Sequence, residues 1–223
     1  MFVPNIREGT LALGGSSAPG PIGREPESRL TMFHSIAAPT AEDLPFDSNS
    51  TRLLQTQTRE FLSYLQQNLD VRQRIKAEKD KTLLYVGRFF GPIWKEVEEF
   101  QRKNPGIVQI LPDVLEKIPA PFGNPGTLKN YVDTLTSQVP EEDQLIIWKA
   151  LSEIFASNAV GTVYFSVGSE VDPEKKVFPS TEISVLARNR AISPESMAMV
   201  EYYQRCVREK KTKINVGFMP EGF

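Results

Sequence analysis

Residues Leu145 to Leu186 read LIIWKALSEIFASNAVGTVYFSVGSEVDPEKKVFPSTEISVL, and the fold is decided inside this run. Its first part predicts an amphipathic helix. Gly161 marks a tight turn, and Thr162 to Val167 (TVYFSV) is the β-branched and aromatic run of a buried strand. A polar loop follows. Ser180 to Ala187 (STEISVLA) then predicts a second strand with Glu182 inside it. In that strand Ile183 and Val185 point one way, and Glu182 and Ser184 the other. The polar side either faces solvent at a sheet edge or lines a ligand pocket at a strand end. Within the helix Trp148, Ser152 and Phe155 are spaced i, i+4, i+7 and share one face.

Upstream of this run, residues 1–48 hold most of the turn formers, including GGSSAPGPIG from Gly14 to Gly23. They predict a flexible tail, with Leu30, Met32 and Phe33 as docking residues and His34, the only histidine, as a bystander. Residues 49–80 predict a helical segment, one long helix or two, through Leu54, Phe61, Leu65 and Leu69. An α/β domain over 81–223 follows. Thr82 to Val86 predicts a strand broken at Gly87, and Pro92 opens a helix to about Lys103. Ile107 to Leu111 predicts a strand, and Thr127 to Leu135 a short helix. Pro140, followed by three acids, starts the helix that carries Trp148. After the Leu145–Leu186 run, Ser193-Pro194-Glu195 opens a last helix to about Arg208, with Met197, Val200, Tyr203 and Val207 inward. Ile214 to Phe218 closes as a strand. The expected architecture is α/β: a helical N-terminal segment, then a small, mostly parallel sheet flanked by helices.

Composition narrows the chemistry. With 223 residues, 40% apolar and 24% charged, the chain has the material for one substantial core or two small ones. A net charge of −2 gives no electrostatic ground for a nucleic-acid partner. No run is long and apolar enough to span a membrane, and MFVPNIREGT lacks the features of a secretory signal. The lone Cys206 excludes an intrachain disulfide and a cysteine zinc site. There is no G-x-x-x-x-G-K-[ST] loop, no G-x-G-x-x-G after a strand, no H-E-x-x-H and no calcium-loop spacing. A single tail histidine argues against a Ser-His-Asp system. What survives is metal-free chemistry run by one carboxylate and a few aromatic rings.

W-K-x-x-S-x-x-F-A-x-x-A-x-G-x-V-x-x-x-x-G-S (Trp148 through Ser169), followed by V-F-P-S-T-E (Val177 to Glu182), resembles the centre of the ADP-ribosyl cyclase/NAD glycohydrolase family. The resemblance covers about Lys81 to Phe218 and is carried by about Leu145 to Leu186. It implies that Glu182 is the catalytic carboxylate, meeting the ribose hydroxyls and steadying the ribosyl cation as nicotinamide leaves. It implies Trp148 as the indole stacked near the base, Ser152 as a phosphate contact and Phe178 as an aromatic flanking the phosphates. K-T-L-L-Y-V-G-R (Lys81 to Arg88) is similar to the family strand that ends in an aromatic and a basic residue. Tyr85 or Trp94 then fills the first aromatic position, Arg88 supplies phosphate charge, and Thr181 joins the substrate-binding set beside Glu182. The family's T-L-E-D-T segment corresponds to I-L-P-D-V (Ile110 to Val114), with Pro112 where an acid is expected and Asp113 kept. Hydrolysis is accordingly expected over cyclisation.

The implied activity is cleavage of the nicotinamide–ribose bond, with NAD as substrate and no further cofactor. Two other readings stand beside it. Arg88, Ser180-Thr181 and Glu182 loosely echo the R…S-T…E arrangement of mono-ADP-ribosyltransferases. A non-catalytic binding or structural module would instead use Trp148 as core and Glu182 as surface. An NAD-consuming enzyme depletes its own cell, so the expected setting is cytoplasmic under tight control, or delivery to a target cell by a specialised route. Either setting implies an inhibitory or delivery protein as partner.

Overall fold

The computed structural model describes residues 48–86, 92–167, 181–209, 211 and 217–220. The expected tail with Leu30, Met32, Phe33 and His34, the break at Gly87, and residues Arg88, Phe178 and Ser180 lie outside the described residues, as does most of the closing strand at Ile214–Phe218.

The chain is α/β. In order, α1 (Ser48–Gln67), α2 (Leu69–Arg74), β1 (Thr82–Val86), α3 (Pro92–Lys103), α4 (Leu111–Leu115), α5 (Leu128–Gln138), α6 (Glu141–Ser157), β2 (Val163–Val167), α7 (Ile183–Leu186) and α8 (Pro194–Arg208) follow one another. Several boundaries have visible chemical causes. Asn68 splits the first helical segment in two, because its side chain accepts the Val71 N–H and caps α2. Thr127 caps α5 and Ser193 caps α8, each accepting a first-turn N–H. Pro140 precedes Glu141, Glu142 and Asp143 in the first turn of α6, where acids meet the positive end of the helix dipole.

β1 and β2 pair in parallel, Thr82 opposite Val163 through Val86 opposite Val167. Their carboxyl ends therefore open at the same edge. Alternation across the pleat sends Leu84, Val163 and Phe165 into the main core, and Leu83 and Tyr164 into a second one with Trp94, Val97 and Phe100 of α3. The main core also takes Phe61 and Leu65 from α1, Leu151 and Phe155 from α6, and Val200 and Tyr203 from α8. Residues before and after Lys81 thus share one apolar interior. On α8 the fully buried positions are Ser196, Val200, Tyr203 and Cys206, while Met197 and Val207 are half-buried.

The register of the two strands rests on Gly161. Its φ of +76° suits glycine, and a Cβ there would fall 2.0 Å from Asp80 Oδ1. Asp80, itself at φ +64°, accepts the Thr162 N–H at 2.6 Å and donates its own N–H to Val160. These contacts bolt the start of β2 to the residues leading into β1.

Two expected strands are corrected. Ile107–Leu111 pairs with β1 only at Gln109, because Leu111 and Pro112 already begin α4. At the other end, Phe218 makes an isolated antiparallel bridge to Phe165, with both backbone hydrogen bonds formed. The second correction bears on function. Ile183–Leu186 is a helical turn and not a strand, with Ile183 and Leu186 buried at i, i+3 and Ser184 exposed. A four-residue apolar pattern fits both periods. Packing selects the helix because Asn189, just beyond it, donates to three carbonyls at the end of α6: Ala156, Ser157 and Ala159.

Candidate active site

Glu182 stands at the amino-terminal edge of α7, with φ −60° and ψ −46°, in a wider π-type turn shared with Thr181. The expected strand would have sent its side chain away from Ile183. The helical turn instead buries both, leaving Glu182 only 7% exposed. A carboxyl group so placed needs a partner. It has one in the Ser152 hydroxyl, itself 6% exposed on α6. Burial pushes the Glu182 carboxyl up to about 8, and the Ser152 hydrogen bond opposes that rise. At neutral pH burial therefore holds this carboxyl group toward its protonated form.

On α6, Ser152 and Phe155 are buried and Trp148 is half-buried against the main core, as their shared face requires. From the strand side, Tyr85 lies next to the carboxyl end of β1. Its phenol is pushed up first by burial, then by the nearby negative charges of Glu182 and Asp113. Tyr85 and Trp94 compete in sequence for a single aromatic position, yet their rings lie together at 5.5 Å, tilted by 57°. One strand and one helix each supply a ring to the same wall. Thr181 is half-buried beside Glu182. Glu182, Ser152 and Tyr85 are thus brought together at the carboxyl edge of the parallel strands, where open α/β sheets bind ligands.

Asp113 is a carboxylate that sequence reading assigned only by resemblance. It accepts Gln101 Nε2 at 2.6 Å and the Ile110 N–H at 3.1 Å, closing the start of α4. The signal was legible: an acid three residues after the cap position is half of a capping box. Isoleucine at the cap has no acceptor to supply the other half.

Two clefts among the described residues lie elsewhere. One of about 770 Å³ runs behind α6, past Ala150, Glu153 and Ile154. A smaller one of about 400 Å³ includes Gln101, Gln109 and Asp113. Among the described residues no three or more His, Cys, Asp or Glu side chains gather to hold a metal, and no helix is long and apolar enough to cross a membrane. No protein-family profile, curated protein or solved structure matches the chain.

Proposed function

We propose that the chain cleaves the nicotinamide–ribose bond of NAD, with Glu182 as the carboxylate that steadies the ribosyl cation. The observation that carries this reading is a buried acid hydrogen-bonded to the Ser152 hydroxyl, beside paired aromatic rings, at the carboxyl end of parallel strands. Strongly shifted carboxyl groups in such places are candidates for catalysis.

The chemistry needs little else. NAD carries a positive charge on its nicotinamide ring, so its arrival beside Glu182 favours the ionised form and expels the proton that burial retains. As the glycosidic bond breaks, the positive charge moves onto the ribose, and the carboxylate faces an oxocarbenium-like centre. The Ser152 hydroxyl then orients the carboxylate or meets a ligand oxygen. Trp148, Tyr85 and Trp94 supply flat apolar surface for planar rings. Capture of the cation by water gives ADP-ribose, and Pro112 in place of an acid favours that outcome over cyclisation. Phe178 and Arg88 remain the phosphate-side assignments of the resemblance. A protein that keeps this activity in check, or delivers the chain to a target cell, fits the cost of uncontrolled NAD loss.

A non-catalytic module is the second reading, favoured by the position of the larger cleft on the opposite side of α6. Incubation of the purified chain with NAD separates the two. The proposal expects free nicotinamide and ADP-ribose in equal amounts, and no nicotinamide above buffer contradicts it. Transfer of ADP-ribose to an added protein acceptor marks the transferase alternative.

A further inference from the structure

The cleft of about 770 Å³ takes no part in the chemistry proposed above. Leu62 and Val185, both half-buried, contribute apolar surface, and Arg72, Arg188 and Arg190 line it with charge. All three arginines are exposed, and among the described residues none of their guanidinium groups has an ion-pair or hydrogen-bond partner. Glu153 is the single acid among the lining residues.

The arginines hang from a fixed frame. Asn158 Nδ2 donates to the Arg72 carbonyl at 2.6 Å and to that of Ile75 at 3.1 Å. Between Arg188 and Arg190, Asn189 donates to the carbonyls ending α6 and accepts the Ala191 N–H at 2.9 Å. Both sides of the cleft are thereby tied to the carboxyl end of one helix, which fixes the backbone from which the three exposed side chains extend. Guanidinium groups are weakly hydrated and match carboxylates in forked geometry. A free phosphate or nucleotide would use those groups and leave the apolar floor wet.

We infer that this cleft is a docking surface for an acidic, amphipathic segment of a partner protein. Its carboxylates would meet Arg72, Arg188 and Arg190, and its apolar side chains would cover Leu62 and Val185. The inference stands whether or not Glu182 cleaves NAD.

A displayed library of random twelve-residue peptides, selected on the full chain, tests it. The enriched peptides should combine Asp or Glu with Leu, Ile or Phe. A labelled winner, followed by fluorescence anisotropy, should lose about tenfold in affinity on R72A/R188A/R190A, since three exposed pairs contribute modestly each. It should also weaken on Ala191→Trp, which narrows the cleft without altering charge. Circular dichroism checks both folds, and Arg188→Ala alone replaces the triple variant if that fails to fold. An empty selection, winners unaffected by both variants, or displacement of the peptide by inorganic phosphate or ATP at matched ionic strength would each overturn the inference.

Discussion

Two carboxylate neighbourhoods flank Tyr85, and they are built to opposite ends. Asp113 accepts two N–H donors at the start of α4, and its charge is spent on closing a helix. Glu182 sits deeper, with the Ser152 hydroxyl against the full cost of burial. The first arrangement stabilises the fold. The second keeps a carboxyl group toward its protonated form, as the proposed reaction uses it. Proximity to an aromatic ring does not distinguish them; the supply of hydrogen-bond donors does.

Activity should separate the two most sharply. Glu182→Gln keeps the shape and the Ser152 contact but cannot carry charge, so NAD cleavage should fall by about 10²–10³-fold, in the range seen when a preorganised electrostatic group is removed. Asp113→Asn should leave cleavage within a few-fold. Equal losses at both positions, read by nicotinamide release, would erase the distinction.

The pH profile sharpens it further. The proposed reaction needs the ionised carboxylate, and without NAD beside it that form gains ground as pH approaches and passes about 8. Below that value kcat/KM should climb about tenfold per pH unit and level off above it. A profile flat from pH 6 to 9 would contradict the assignment.

Stability follows the same proton with the opposite sign. The folded carboxyl retains its proton up to about 8, whereas in the unfolded chain it ionises near 4.5. Between those values the unfolded state binds fewer protons, so stability falls as pH rises and becomes level above about 8. The ceiling is on the order of 5 kcal/mol, and a few kcal/mol is the expected size. Urea midpoints at pH 5 and pH 9 for the parent and Glu182→Gln should diverge as pH rises, with the variant more stable at the higher value. Asp113→Ala should give the smallest effect, a loss of about 1–2 kcal/mol at pH 7 with activity kept, because Ile110 and Gln101 lose their acceptor.

Local chemistry in the sequence located most helices. Pro92, Thr127, Pro140 and Ser193 start helices where they are expected to, and VYFSV and TLLYV are strands. Failure came where a short pattern fits two periods. Ile183-Ser-Val-Leu alternates like a strand and also buries i and i+3, and only the contact of Asn189 with the end of α6 decides between them. The shared face of Trp148 and Ser152 followed from spacing alone. The meeting of Glu182 with Ser152, and of Tyr85 with Trp94, depends on tertiary packing between segments distant in sequence. The three arginines of the rear cleft were illegible for the same reason, since two elements far apart in the chain supply them.

Everything functional turns on whether the Glu182 carboxylate does work on NAD. Nicotinamide liberated at pH 9, where that group is ionised, measures this directly for the parent chain beside Glu182→Gln at equal concentration and with matching circular dichroism. Steady release by the parent and loss of about two orders of magnitude or more in the variant is the expected result. A parent that releases none, or a variant that keeps pace with it, would contradict the assignment.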